Sequence, residues 1–109
     1  MIHWIPLQRM EQLEELVANS ENRPQVIFKH STRCSISSMV LGRLERETPP
    51  AGWDFYYLDL LSHRDISAAI AEKLNVHHES PQIILIKNKE VLMDESHMAI
   101  QMDELKAFA

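Results

Sequence analysis

The only cysteine in the chain, Cys34, follows the polar stretch His30-Ser31-Thr32-Arg33 and precedes Ile36, Met39, Val40 and Leu44, which recur at helical spacing. A cysteine that opens a helix meets unpaired backbone N–H groups and the positive end of the helix dipole, and both favour thiolate over thiol. Arg33 adds positive charge beside it, and Ser37, three residues on, can offer its hydroxyl to the sulfur from the same first turn. The thiolate is the species that attacks a disulfide. A lone cysteine is just as often a small buried hydrophobe, so position alone leaves both roles open. The second chemical feature is Ser80-Pro81-Gln82, where a proline directly precedes the apolar run Ile83 to Ile86. Such a proline can be cis and expose a backbone edge beside the cysteine loop; an ordinary strand-entry proline is the plainer reading.

One thiol excludes an intrachain disulfide framework and every zinc site built on several thiolates. It also dictates how an exchange reaction must end. With serine at position 37, a mixed disulfide formed on Cys34 cannot collapse into an internal disulfide, so an external thiol has to release it. Six histidines, His3, His30, His63, His77, His78 and His97, invite a metal reading. None forms a helical His-x-x-x-His pair, and the adjacent His77 and His78 point apart on extended backbone, so structural or solvent roles are expected and no metal site is. His30, four residues before Cys34, and His78, just before Ser80-Pro81, are the two that can approach the sulfur as assisting bases.

These residues need elements to hold them. Leu7, Met10, Leu13, Leu16 and Val17 trace one helical stripe whose other face carries Glu11, Glu14 and Glu15. Gln25 to Lys29 is a short continuous apolar run, the pattern of a strand buried on both faces and therefore central. The cysteine helix runs to the stop at Pro49-Pro50. Asp54 to Leu60 reads as a second buried strand, and Ser62-His63-Arg64-Asp65 as a reciprocal cap on a third helix with Ile66, Ala69, Ile70 and Leu74 inward. Ile83 to Ile86 and Val91 to Met93 flank the tight turn Asn88-Lys89 as a hairpin, Met102, Leu105 and Phe108 mark a closing helix, and a short strand is expected over Ile2 to Ile5. Alternating strands and helices demand a parallel part and the hairpin adds an antiparallel one. The fold class is α/β: one domain over residues 1–109, a mixed β-sheet with helices on both faces, and Cys34 at the carboxyl edge of the sheet, where open α/β folds place their ligands.

Composition agrees. Hydrophobic residues make up 45% and charged residues 25%, which is ordinary for a globular chain able to bury a core. A net charge of −5 without a Lys/Arg cluster argues against nucleic acid as a partner. No apolar run approaches the roughly 18 to 20 residues that span a bilayer, so no membrane partner and a cytoplasmic location are expected.

The stretches Phe28-Lys29-His30-Ser31-Thr32-Arg33-Cys34-Ser35-Ile36-Ser37 and Val76-His77-His78-Glu79-Ser80-Pro81-Gln82 together resemble the YtxJ family, the monothiol bacilliredoxins, and the resemblance extends over essentially the whole chain. It implies a thioredoxin-like fold, with Cys34 as the reactive thiol. Ser37 stands where two-cysteine thioredoxin motifs carry the resolving cysteine. Many members have proline or threonine after the cysteine, where this chain has Ser35. The implied function is removal of bacillithiol, or a similar low-molecular-weight thiol, from mixed disulfides on client proteins. That thiol is a co-substrate and no bound cofactor is expected. Thr32, Arg33, Ser37, Ser80 and Pro81 are the residues expected to bind substrate or stabilise the thiolate. Three rivals are weighed against this. One is a thioredoxin-like binding module that docks a peptide along the Ser80-Pro81 edge. Another is an iron–sulfur carrier of the monothiol glutaredoxin kind, whose Cys-Gly-Phe-Ser wording is absent here. The third is an arsenate reductase, for which no downstream arginine signature is present.

Overall fold

The computed structural model describes all 109 residues. The uninterrupted apolar run at Val26, Ile27 and Phe28 becomes β2 (Gln25–His30), and all six of its residues are buried. Successive side chains on a strand point to opposite faces. Ile27 accordingly packs with Leu13, Leu16, Ile66 and Ile70, while Val26 and Phe28 pack with Val40, Leu44, Met102 and Leu105. The first set comes from α1 (Met10–Asn19) and α3 (Arg64–Leu74), the second from α2 (Ser35–Glu45) and α4 (Met102–Lys106). Helices on both faces of one sheet follow directly, as the apolar patterning predicts.

β3 (Asp54–Asp59) runs parallel to β2, and β1 (Trp4–Pro6) runs parallel to β3 on its far side. β4 (Gln82–Lys87) lies antiparallel to β2, and β5 (Glu90–Ser96) antiparallel to β4. The strand order is β1-β3-β2-β4-β5. The hairpin turns through Asn88 and Lys89, both at positive φ (52° and 65°), the conformation that a two-residue turn matched to strand twist requires. Backbone N–H groups of both turn residues donate to Ser20, at 2.8 and 2.9 Å, which ties the turn to the end of α1.

Three local expectations are corrected. Ser62 does not cap α3: its hydroxyl donates to Asp59 Oδ2 at 3.0 Å, and His63 occupies the N-cap position with no side-chain cap bond. The Asp59 carboxylate, already accepting from Leu61 N–H, accepts the Ser62 hydroxyl proton as well and holds the side chain in its own turn, away from the N–H donors of α3. The first strand begins at Trp4, not Ile2. The closing helix stops at Lys106, and Phe108 lies beyond it, 43% exposed.

Candidate functional site

β2 ends at His30, three loop residues follow, and Cys34 takes the N-cap position of α2 with extended backbone (φ −108°, ψ 121°). Its carbonyl accepts the helix's first bond, from Ser38 N–H at 3.1 Å, and its own N–H donates back to Ser31 O at 3.2 Å. The thiol is free and half-buried, while Thr32 and Arg33 beside it are exposed. A cysteine side chain here lies against the positive end of an 11-residue helix.

Ser37 is fully buried one turn into α2. Its Oγ lies 2.7 Å from His30 Nδ1 and accepts from Ser31 N–H at 3.1 Å, and neither contact involves the Cys34 sulfur. The expected hydroxyl-to-sulfur bond is therefore replaced by a bond that pins the loop before the cysteine to the helix after it. His30, in turn, stacks on Phe28 at 5.8 Å and tilts against Tyr57 at 5.4 Å. Burial lowers the His30 pKa, with Asp59 and Glu45 pulling the other way. The sequence marks His30 as an assisting base; the geometry makes it the partner of Ser37.

The second feature reaches the same rim. Gln82, the first residue of β4, is paired with Lys29 near the end of β2, so the Ser80-Pro81 segment and the cysteine loop leave the sheet at one edge. The Ser80–Pro81 bond is cis. Pro81 is buried and its carbonyl accepts from His97 N–H at 2.9 Å. On either side of it, Ser80 Oγ and Gln82 Oε1 are buried without a hydrogen-bond partner. Glu79, just before, lies 3.6 Å from His77 and 3.4 Å from His97. No three His, Cys, Asp or Glu side chains converge in a way that would hold a metal ion.

His78 turns away from this arrangement. Its Nδ1 lies 3.1 Å from the amine of Lys29 and 3.4 Å from Ser67 Oγ on α3. Sequence reasoning passes over Lys29: it ends a strand, where a long cation ordinarily reaches solvent, yet it is fully buried. Burial lowers its pKa to about 8. An unfolded chain, with an ordinary lysine near 10.5, then binds more protons than the folded one between those values, so folding stability should rise with pH from about 8. Tyr56 and Tyr57, both raised chiefly by burial, oppose that rise above about 10. Urea midpoints from pH 7 to 10 check this: the native protein should gain stability across the range, and Lys29→Met should start higher and stay flat.

A cysteine at the head of the helix after the central strand, at the same edge of the sheet as the proline before the antiparallel strand, on a β1-β3-β2-β4-β5 sheet, defines a thioredoxin-fold protein with a single thiol. A solved structure described as an oxidoreductase with a thioredoxin fold superposes at a TM-score of 0.78 with 33% identity, over 94% of this chain and 90% of that one. The thioredoxins of Malassezia sympodialis and Schistosoma mansoni share the fold at TM-scores of 0.72 and 0.71, with 18% and 21% identity. They match over 99% and 96% of this chain, and over 89% and 91% of theirs. The family model of monothiol bacilliredoxin BrxC matches residues 5–105, and the chain belongs to that family. Thiol redox chemistry is the class of function that family and fold support. No helix is long and apolar enough to cross a membrane.

Proposed function

We propose that this protein takes bacillithiol, or a similar low-molecular-weight thiol, off mixed disulfides on client proteins in the cytoplasm, with Cys34 as the nucleophile. The observation that carries the reading is the half-buried, unpaired Cys34 at the N-terminus of α2 in a chain of the monothiol bacilliredoxin family. The Cys34 thiolate attacks the bacillithiol sulfur of the client's mixed disulfide. A Cys34–bacillithiol S–S bond forms as the client's S–S bond breaks, and the client cysteine leaves as thiolate. One disulfide has replaced another, so no net oxidant is needed. Ser37 supplies no thiol, and a second low-molecular-weight thiol attacks the bound bacillithiol sulfur, leaving as a small disulfide and freeing Cys34.

The surroundings support this division of labour. Thr32 and Arg33 are exposed beside the thiol, and the Arg33 guanidinium suits the carboxylates of a small thiol adduct. Ser80 and Pro81, at the same rim of the sheet, offer a backbone edge to the substrate disulfide. Ile36 and Met39, exposed on the same helix, offer apolar ground to a protein client. No bound cofactor enters the cycle.

Intact mass after mixing the reduced protein with a bacillithiolated client tests the reading, with a glutathionylated client and a Cys34→Ala protein alongside. A bacillithiol-sized increment on Cys34, loss of the adduct from the client and no increment in the Cys34→Ala protein are expected. A Cys34 that stays unmodified and resists alkylation would overturn the proposal and leave a peptide-docking module.

A further inference from the structure

Lys29 is a buried cation without an anion. The ion pairs in the protein are Arg23 with Asp54, Lys73 with Glu14, Lys89 with Glu21, and His77 and His97 with Glu79; Lys29 is in none of them. Lysine is almost never fully buried unless it is paired, and an uncompensated buried charge opposes folding. The residue's contacts show where the missing charge would go.

An ammonium can only donate, so the 3.1 Å contact makes His78 Nδ1 the acceptor and puts the ring's own proton on Nε2. Burial and the neighbouring Lys29 both lower the His78 pKa, which keeps the ring neutral and this tautomer in place. The imidazole therefore relays the buried positive charge outward through its Nε2–H. His78 is exposed, and with Ser67 it lines an open groove of about 770 Å³ between α3 and the segment that follows it. Arg64, in the first turn of α3, lines the same groove and has no acidic partner; Glu72 is the one acid in the wall. Leu60, Ala68 and Val76 supply apolar surface.

We propose that this groove binds the carboxylate of a small organic molecule, gripped by the Arg64 guanidinium and the Nε2–H of His78, with Lys29 providing the positive charge behind the ring. A guanidinium fork matches a carboxylate in two parallel bonds, and the ring N–H adds a third charge-assisted one. Two donor side chains beside an apolar wall suit a carboxylate on a carbon skeleton better than a phosphate dianion, whose three oxygens need a denser ring of donors. Cys34 takes no part in the site, so the site can fail while thiol transfer stands, and the reverse.

The test follows the His78 ring resonances by NMR at pH 7 as malonate is added, against sodium chloride at matched ionic strength. A saturable shift specific to malonate is expected. Arg64→Ala, an exposed change, should weaken it about tenfold, the loss of one charge-assisted pair. Lys29→Met, which fills a similar volume without charge, should weaken it at least as much while the protein stays folded. A shift that chloride reproduces, or a malonate affinity that neither substitution changes, would overturn the assignment. S-methylglutathione separates two sources of the carboxylate. Tighter binding than malonate points to a small thiol as occupant, and equal or weaker binding to a free dicarboxylate.

Discussion

Ser37→Cys is expected to stop the adduct on Cys34 from accumulating and to yield instead a protein two hydrogens lighter, the mass signature of an internal disulfide. Positions 34 and 37 are the N-cap and the third residue of α2, one turn apart on the same side of the helix start. Side chains three apart on a helix are neighbours at about 5 to 6 Å, and a cysteine pair with this spacing at a helix N-terminus is the thioredoxin dithiol. Once a thiol adduct forms on Cys34, the new thiolate attacks the Cys34 sulfur, forms the internal S–S bond and expels the small thiol. The intramolecular step outruns attack by an external thiol because its effective concentration is far higher. The substitution also removes the Ser37 hydroxyl from His30 and from Ser31 N–H. Two buried bonds lost at about 1 kcal/mol each should leave the reduced variant measurably less stable, yet folded. Mass spectrometry after one equivalent of bacillithiolated client decides it. A Cys34 adduct as long-lived as in the native protein would mean that the two positions do not meet, and that position 37 is not placed to resolve a disulfide on Cys34.

The placing of Cys34 was legible because it depends on neighbours in the chain: an apolar run that must be a buried strand, a polar loop, then helical spacing. The alternation of runs also sufficed for the mixed sheet, and Asn88-Lys89 for the hairpin. The partners of Ser37 and Lys29 were not legible, for a physical reason. Ser37 is one helical turn from Cys34, so local geometry suggests the sulfur, but its bonds go to His30 and Ser31 once the loop folds over the helix. Lys29 meets Ser67 only through His78, which lies 49 positions beyond Lys29 and 11 beyond Ser67 and is brought in by the crossover through α3. Periodicity reports which face a residue occupies and says nothing of what comes to cover it. Ser62 failed as a cap for the opposite reason, a carboxylate three residues back that takes its hydroxyl proton and holds the oxygen away from the N–H donors of the helix terminus.

The same limit separates two phenylalanines that look alike in the sequence. Phe28 is fully buried at the centre of β2, with ring centroids of Trp4, His30 and Tyr57 at 5.7, 5.8 and 6.5 Å; Phe108 is 43% exposed beyond α4. Phe28→Ala removes a ring from a close-packed layer between sheet and α2 and leaves a cavity, at an expected loss of about 3 to 5 kcal/mol. Against a total of about 5 to 15 kcal/mol for a domain, that is a large share of the stability. Phe108→Ala should change it by no more than about 0.5 kcal/mol. Urea unfolding of the two variants beside the native protein measures the contrast. The Phe28 cavity also reaches the site, because the ring that carries His30 is gone and the His30–Ser37 bond loses its backing. Ring resonances of His30 should broaden or shift in Phe28→Ala and stay put in Phe108→Ala. If Phe28→Ala lost less than about 1 kcal/mol, the layer between β2 and α2 would have to collapse into the vacated space. The cysteine helix would then sit on a support far softer than this packing describes.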